Sequence, residues 1–259
     1  MGAVTPLFIF GMGRSGTTNA LQVANTHPSV LMTGEVPLTL LKEFFLTLDA
    51  ADRVHTEKHE GWFERKADYM FESFGYLAKG GRGRRQDRRD TALFRGHKTP
   101  RLESLFDQYE EHFASAGLTP RYFYCARNPF DCWRSYKATT WNGYRGVKDF
   151  LPQYVNSFER LDYMRDKAGE RIMVLNLDEL IAMGDNCAFY RDRLFAPLGL
   201  DFPEATAWRI EKMEGKKTDK KRRGRGPALS DEDRAAIEAY PGVAALDEKM
   251  FAPFRKAPR

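Results

Sequence analysis

Cysteine is scarce in this 259-residue chain. The three present, Cys125, Cys132 and Cys187, are odd in number and lack metal-ligand spacing, so neither a disulfide framework nor a zinc module is implied. Cys125 sits in an apolar run and reads as a small buried hydrophobe. A long apolar segment is missing too, and nothing approaches the length needed to cross a bilayer. The opening MGAVTPLFIFG has no basic leader, and its apolar stretch is too short for a secretory signal. Pro6 stands where a myristoylation motif requires Ser or Thr. Internal repeats and a clean linker are also lacking. These absences favour a cytoplasmic protein with one domain over 1–259.

What is present is the composition of a globular protein, with 42% hydrophobic and 30% charged residues. The formal charge of +5 leans modestly toward anionic ligands. The 19 Phe and 11 Tyr suit a chain that lines pockets with flat side chains.

Short β-prone runs alternate with helical patterns. Strands are expected at Pro6–Phe10, Val30–Thr33, Ala92–Arg95, Arg121–Ala126 and Arg171–Leu177. Helices are expected at Asn19–Thr26, Leu38–Leu48, Trp62–Leu77, Arg101–Ala116, Pro129–Thr139, Val147–Ala168 and Pro203–Met213. Asp178 is expected to cap the helix after the fifth strand, and Ser230 to open a last helix with a capping signature. Arg82–Asp90 reads as a solvated loop. The alternation predicts a three-layer α/β fold, a central mainly parallel sheet flanked by helices, which with a glycine loop after its first strand resembles the P-loop NTPase-like kind.

The strand, the loop GMGRSGTT and the following helix form the strongest motif. Gly11, Gly13 and Gly16 allow a tight turn whose N–H groups converge, and the helix adds its positive dipole end. Such a cradle suits a phosphate-like oxyanion. The spacing Gly11-x-x-x-x-Gly16 copies the phosphate loop of nucleotide hydrolases, but Thr17 occupies the position where that loop needs Lys. A nucleotide kinase or hydrolase with a degenerate loop is therefore the rival enzyme reading. A nucleic-acid-binding protein working through its basic stretches is the non-enzymatic rival, but it leaves the anion motifs unexplained.

FIFGMGRSGTT resembles the 5′-phosphosulfate loop of sulfotransferases that use 3′-phosphoadenosine 5′-phosphosulfate (PAPS). The resemblance implies that Arg14, Ser15, Gly16, Thr17 and Thr18 hold the 5′-phosphosulfate. Arg14, where the cytosolic branch usually has Lys, resembles the carbohydrate and tyrosyl-protein branches. A second segment, RYFYCARNPFDCWRSYK, is similar to the family's 3′-phosphate site, which implies Arg127 and Ser135 as ligands. Arg127 brings a planar fork suited to phosphate, and Ser135 a neutral donor.

Glu35, after the second strand in HPSVLMTGEVPLTL, is the candidate base by the same resemblance, since sulfuryl transfer needs a group to take the acceptor proton. GHKTP resembles the Lys-Thr-Pro segment of the carbohydrate-type enzymes. Lys98 is thereby implied to neutralise charge on the leaving group, and His97 is the rival base. The basic segment 215–226, with Arg222 and Arg223, resembles a late basic loop that covers the 3′-phosphate; a solvated charge run is the alternative. Trp133, Trp141 and Tyr144 are candidates for stacking on a base or sugar, or for the core. The implied donor is PAPS, the product 3′-phosphoadenosine 5′-phosphate (PAP), with no metal. The implied acceptor is a carbohydrate or other small-molecule or lipid-linked alcohol, a tyrosyl peptide being the alternative. No nucleic-acid partner and no membrane span are expected.

Overall fold

The computed structural model describes residues 4–55, 61–78, 91–139, 143–221 and 227–255, without the side chains of 64 and 214–221. Its first strand, β1 (Thr5–Phe10), is apolar along its length because it is covered on both sides. Leu7 and Ile9 face one layer, Phe8 and Phe10 the other, and all four are fully buried. Such two-sided burial is what a strand inside a parallel sheet requires.

The chain continues through α1 (Thr17–Ala24), β2 (Val30–Thr33), α2 (Leu38–His55), α3 (Trp62–Leu77) and β3 (Phe94–Lys98). A 3₁₀ turn at Leu102–Leu105 leads into α4 (Phe106–Ser115), β4 (Arg121–Ala126), α5 (Pro129–Lys137) and α6 (Val147–Ala168). Then come β5 (Ile172–Asn176), α7 (Leu177–Met183), α8 (Asn186–Tyr190), α9 (Glu204–Lys221), α10 (Asp231–Glu238) and α11 (Val243–Met250).

The five strands form one sheet in the order β2-β3-β1-β4-β5, with every pairing parallel. The expected three-layer α/β architecture is therefore present. On one face Phe8, Phe10, Tyr122 and Tyr124 pack under α2, α3, α4 and α6; on the other, Leu7, Ile9, Phe123 and Cys125 meet α1 and the segment Phe189–Leu198. The chain moves outward from β1 to β2, returns through β3, then crosses β1 to reach β4. That reversal opens a crevice at the carboxyl ends of the central strands, where ligands of open α/β sheets bind.

Several local expectations need correction. The second helix runs past Leu48 to His55, because Asp52 accepts from Trp62 Nε1 at 2.7 Å and from the buried Lys66 Nζ at 2.5 Å, fastening its end to α3. The helix expected from Arg101 begins as the 3₁₀ turn, since Arg101 itself holds a left-handed φ of 63°. The third strand lies at Phe94–Lys98, and the fifth ends at Asn176. Asp178 does not cap α7: the Asn176 side chain does so, accepting from the Asp178 N–H at 3.0 Å. Ser230 caps α10 as expected, accepting from the Asp233 N–H at 3.1 Å, but α11 follows it. The ninth helix continues through Gly215 to Lys221. Arg82–Asp90 lies outside the described residues. No described helix is long and apolar enough to cross a membrane.

Candidate functional site

The loop after β1 is folded by its glycines and braced by its neighbours. Gly11 has a φ of 128°, and a Cβ there would stand 2.4 Å from the Cys125 carbonyl oxygen, so β4 leaves no room for a side chain. A Cβ on Gly13 would meet the Tyr136 hydroxyl at 2.0 Å. Ser15 is buried, and its hydroxyl donates to the Met12 carbonyl at 2.5 Å, closing the turn from within. Gly16 is the N-cap of α1 with a φ of 99° and supplies no side-chain cap. The first N–H groups of the helix therefore keep their capacity for an anion, with Thr17 buried and Thr18 exposed in that first turn.

Arg14 connects this loop to the second motif. Its backbone is left-handed, with a φ of 68°, and its Nε donates to Ser135 Oγ at 2.9 Å. Its carbonyl accepts from Arg127 Nη1 at 3.2 Å. Arg127 leaves the end of β4 and lies 3.7 Å from Asp131, while its Nε is buried with no partner among the described residues. A buried guanidinium N–H left unmade costs free energy, and an incoming oxyanion would satisfy it. The uncapped helix start and this orphan donor both fit a ligand carrying two separated phosphate-like groups.

The turn bearing Arg127 is held from beneath. The Asp178 carboxylate accepts from the Asn128 backbone N–H at 2.9 Å and from Asn128 Nδ2 at 2.6 Å. Asn128 in turn caps α5, its Oδ1 accepting from the Asp131 N–H at 2.8 Å. Burial raises the Asp178 pKa from its ordinary value, against the pull of the Asn128 hydrogen bonds. Sequence reasoning missed the Arg14–Ser135 and Asn128–Asp178 links. Only the Asn-Pro start of α5 hinted at the second.

Glu35 and Lys98 come together beside the loop. Lys98 Nζ donates to Glu35 Oε2 at 3.0 Å, with the lysine nearly buried and the carboxylate 39% exposed. Thr99 ties their two strands, since its hydroxyl donates to the Val36 carbonyl at 3.0 Å and accepts from the Val36 N–H at 3.1 Å. Arg101 N–H reaches the Gly11 carbonyl at 2.9 Å, so the segment 99–101 straps the glycine loop to Glu35.

His97 does not join them. It is 0% exposed, wedged among Phe8, Phe74 and Tyr109, with Nδ1 at 3.0 Å from Thr99 Oγ1 and Nε2 at 2.6 Å from the Tyr109 hydroxyl. A neutral ring with its proton on Nδ1 satisfies this whole set: it donates to Thr99, which donates to Val36, and it accepts from Tyr109. Burial, with Lys98 adding to it, pushes the His97 pKa down to about 3. The ring props up the strap and lies out of reach of an acceptor. Trp133 and Tyr144 pack with Phe150 in the core. Trp141, Arg222 and Arg223 lie outside the described residues.

A parallel sheet with a glycine loop between its first strand and helix defines the class, a P-loop-like α/β fold. Neither a family model nor a curated protein matches the sequence. Among solved structures, a sulfotransferase from Alicyclobacillus acidocaldarius is 17% identical over 98% of this chain and 100% of that one, with a TM-score of 0.54. A sulfotransferase from Mycobacterium tuberculosis H37Rv is 14% identical over 97% of this chain and 77% of that one, with a TM-score of 0.48. The first of these likenesses shows a common fold.

Proposed function

We propose that the chain is a PAPS-dependent sulfotransferase, acting as one domain in the cytoplasm on a hydroxyl of a carbohydrate or other small-molecule alcohol. The observation that carries this reading is the contact between the two anion motifs, Arg14 Nε to Ser135 Oγ at 2.9 Å. One nucleotide with phosphate groups at both 5′ and 3′ positions would use both, whereas a nucleoside triphosphate would leave the second idle. The missing loop lysine at Thr17 counts against the kinase reading.

The donor supplies an activated sulfuryl group. Loop N–H groups and Arg14 receive its 5′ end, with Ser15 keeping the loop in shape, and Arg127 and Ser135 receive its 3′-phosphate. The acceptor oxygen attacks sulfur as Glu35 takes the acceptor's proton. The new O–S bond forms while the bond from sulfur to the bridging phosphate oxygen breaks, and that electron pair leaves with PAP. Lys98 orients Glu35 through the 3.0 Å ion pair and offers its remaining N–H groups to the departing charge. Fixed donors thus take the part that magnesium has in phosphoryl transfer.

Calorimetric titration with PAP, with magnesium-ATP as control, tests the reading. Metal-independent binding is expected, with Arg127→Ala weakening it about 10- to 100-fold, the worth of hydrogen bonds to a charged group. Absence of PAP binding, or a preference for magnesium-ATP, overturns it.

A further inference from the structure

A second cleft of about 330 Å³ opens between the 3₁₀ turn and α6, lined by Arg101, Glu103, Ser104, Gln153, Asn156 and Arg160 among others. Its floor is a directed chain of hydroxyls. Tyr124 and Ser157 lie 2.8 Å apart, and Ser157 Oγ makes a short bond with Glu103 Oε1; when the carboxylate is ionised the serine donates to it and the tyrosine donates to the serine. Glu103 is 5% exposed, and its Oε2 has no partner among the described residues.

Two guanidinium groups stand over that floor. Among the described residues neither forms a salt bridge: Arg101 acts electrostatically on the Tyr144 hydroxyl, and Arg160 lies over the Tyr163 ring at 5.4 Å. Both act electrostatically on Glu103. One buried carboxyl between two cations leaves the cleft positive, and the amides of Gln153 and Asn156 add neutral donors. This lining matches a planar or tetrahedral oxyanion, which arginine binds through two parallel N–H bonds.

The cleft also lies beside the reaction centre. Arg101 is two residues past Thr99, which holds the residue after Glu35, and its own N–H is bonded to Gly11 at 2.9 Å. Three peptide units, at about 3.8 Å each, separate it from Lys98. Its left-handed φ of 63°, rare for a residue with a side chain, is fixed by that bond to the glycine loop.

We propose that this cleft anchors the acceptor by an oxyanion, a carboxylate, sulfate or phosphate, held between Arg101 and Arg160 so that a hydroxyl elsewhere on the same molecule reaches Glu35. The inference rests on the sulfotransferase reading for its role and assigns the acceptor to the anionic alcohols. Glu103 and Ser157 form the floor that keeps the two cations together.

Glucuronate and glucose provide the test, since they share ring hydroxyls and differ in one carboxylate. Their binding to the full chain saturated with PAP is followed by ligand-observed NMR. Glucuronate is expected to bind about tenfold tighter or more than glucose, as charge-assisted pairing implies. Arg160→Gln and Arg101→Asn, the latter tolerant of the left-handed backbone, are expected to erase the preference while the folded protein keeps its PAP binding. Arg160→Lys should restore part of it. Equal binding of both sugars, no saturable binding of glucuronate, or a preference that survives both substitutions overturns the proposal. Should wild-type protein fail to bind PAP, the donor reading falls, and the same titration without PAP still judges the cleft.

Discussion

Arg14 Nε donates to Ser135 Oγ at 2.9 Å, across 121 positions of sequence. The arginine of the glycine loop therefore lies between the two anion motifs, and its carbonyl is also the acceptor for Arg127. A change at one of these residues should be felt by the others. Ser135→Ala is expected to weaken PAP binding roughly tenfold, the worth of a hydrogen bond to a charged group. Combining it with Arg14→Lys should cost less than the two single changes added together, with a coupling of about 0.5–3 kcal/mol. Calorimetry on the four proteins measures this. Strict additivity would show that the contact carries nothing in the bound state.

Glu35 is tested by Glu35→Gln, which keeps the size and an acceptor oxygen for Lys98 but cannot take a proton. Turnover is expected to fall about 10²- to 10⁴-fold, the range for loss of general base catalysis, with PAP affinity unchanged. An unaltered turnover would remove Glu35 from the mechanism.

Asp178 supports Arg127 from below, and Asp178→Asn tests that support. An amide cannot accept from both Asn128 donors as a carboxylate does, so the turn should loosen. PAP affinity is expected to drop several-fold while AMP affinity, which involves no 3′-phosphate, stays level. Asp178→Glu should recover part of the loss. Equal losses for both nucleotides would mark a general effect on folding instead.

Glu103 couples the fold to pH. Burial raises its pKa from 4.5 to about 7, the Ser157 bond opposing the shift. The folded protein then binds more protons at this site than the unfolded chain between those values, so stability falls as pH rises from about 4.5 to about 7. A difference of that size corresponds to about 3 kcal/mol. His97 acts oppositely: its pKa of about 3 lies below the unfolded value of 6.5, so its contribution grows as pH rises through that window. The two trends oppose each other between about 4.5 and 6.5. Glu103→Gln should remove one of them, giving a protein whose denaturant midpoint climbs with pH more steeply than the wild type. Identical pH profiles would contradict the assignment.

The strands and the glycine turn after the first of them were legible because they depend on local chemistry. Pro6–Phe10 and Arg121–Ala126 are apolar enough to demand burial on both sides, and Gly11 and Gly16 stand where the chain needs positive φ. The rest depends on partners distant in sequence. Asp178 looked like a helix cap from its neighbours, yet Asn128, fifty positions away, takes its carboxylate. His97 was the rival base by resemblance to the cytosolic branch, which has a His near the same strand end, but strand alternation turns its ring into the aromatic layer. The cleft under Arg101 and Arg160 unites a turn and a helix that no spacing connects, and Arg101 showed no sign of its left-handed backbone.

The central position of β1, flanked by β3 and β4, also dictates when the site can exist. During synthesis the glycine loop is made before its lining, which waits for the strap after β3 and for Arg127 and Ser135 beyond β4. Until Ser135 has emerged, the nascent chain has a loop with no walls. Any ligand that needs both walls can therefore be held only once β4 and α5 are made, so its binding reports on tertiary assembly.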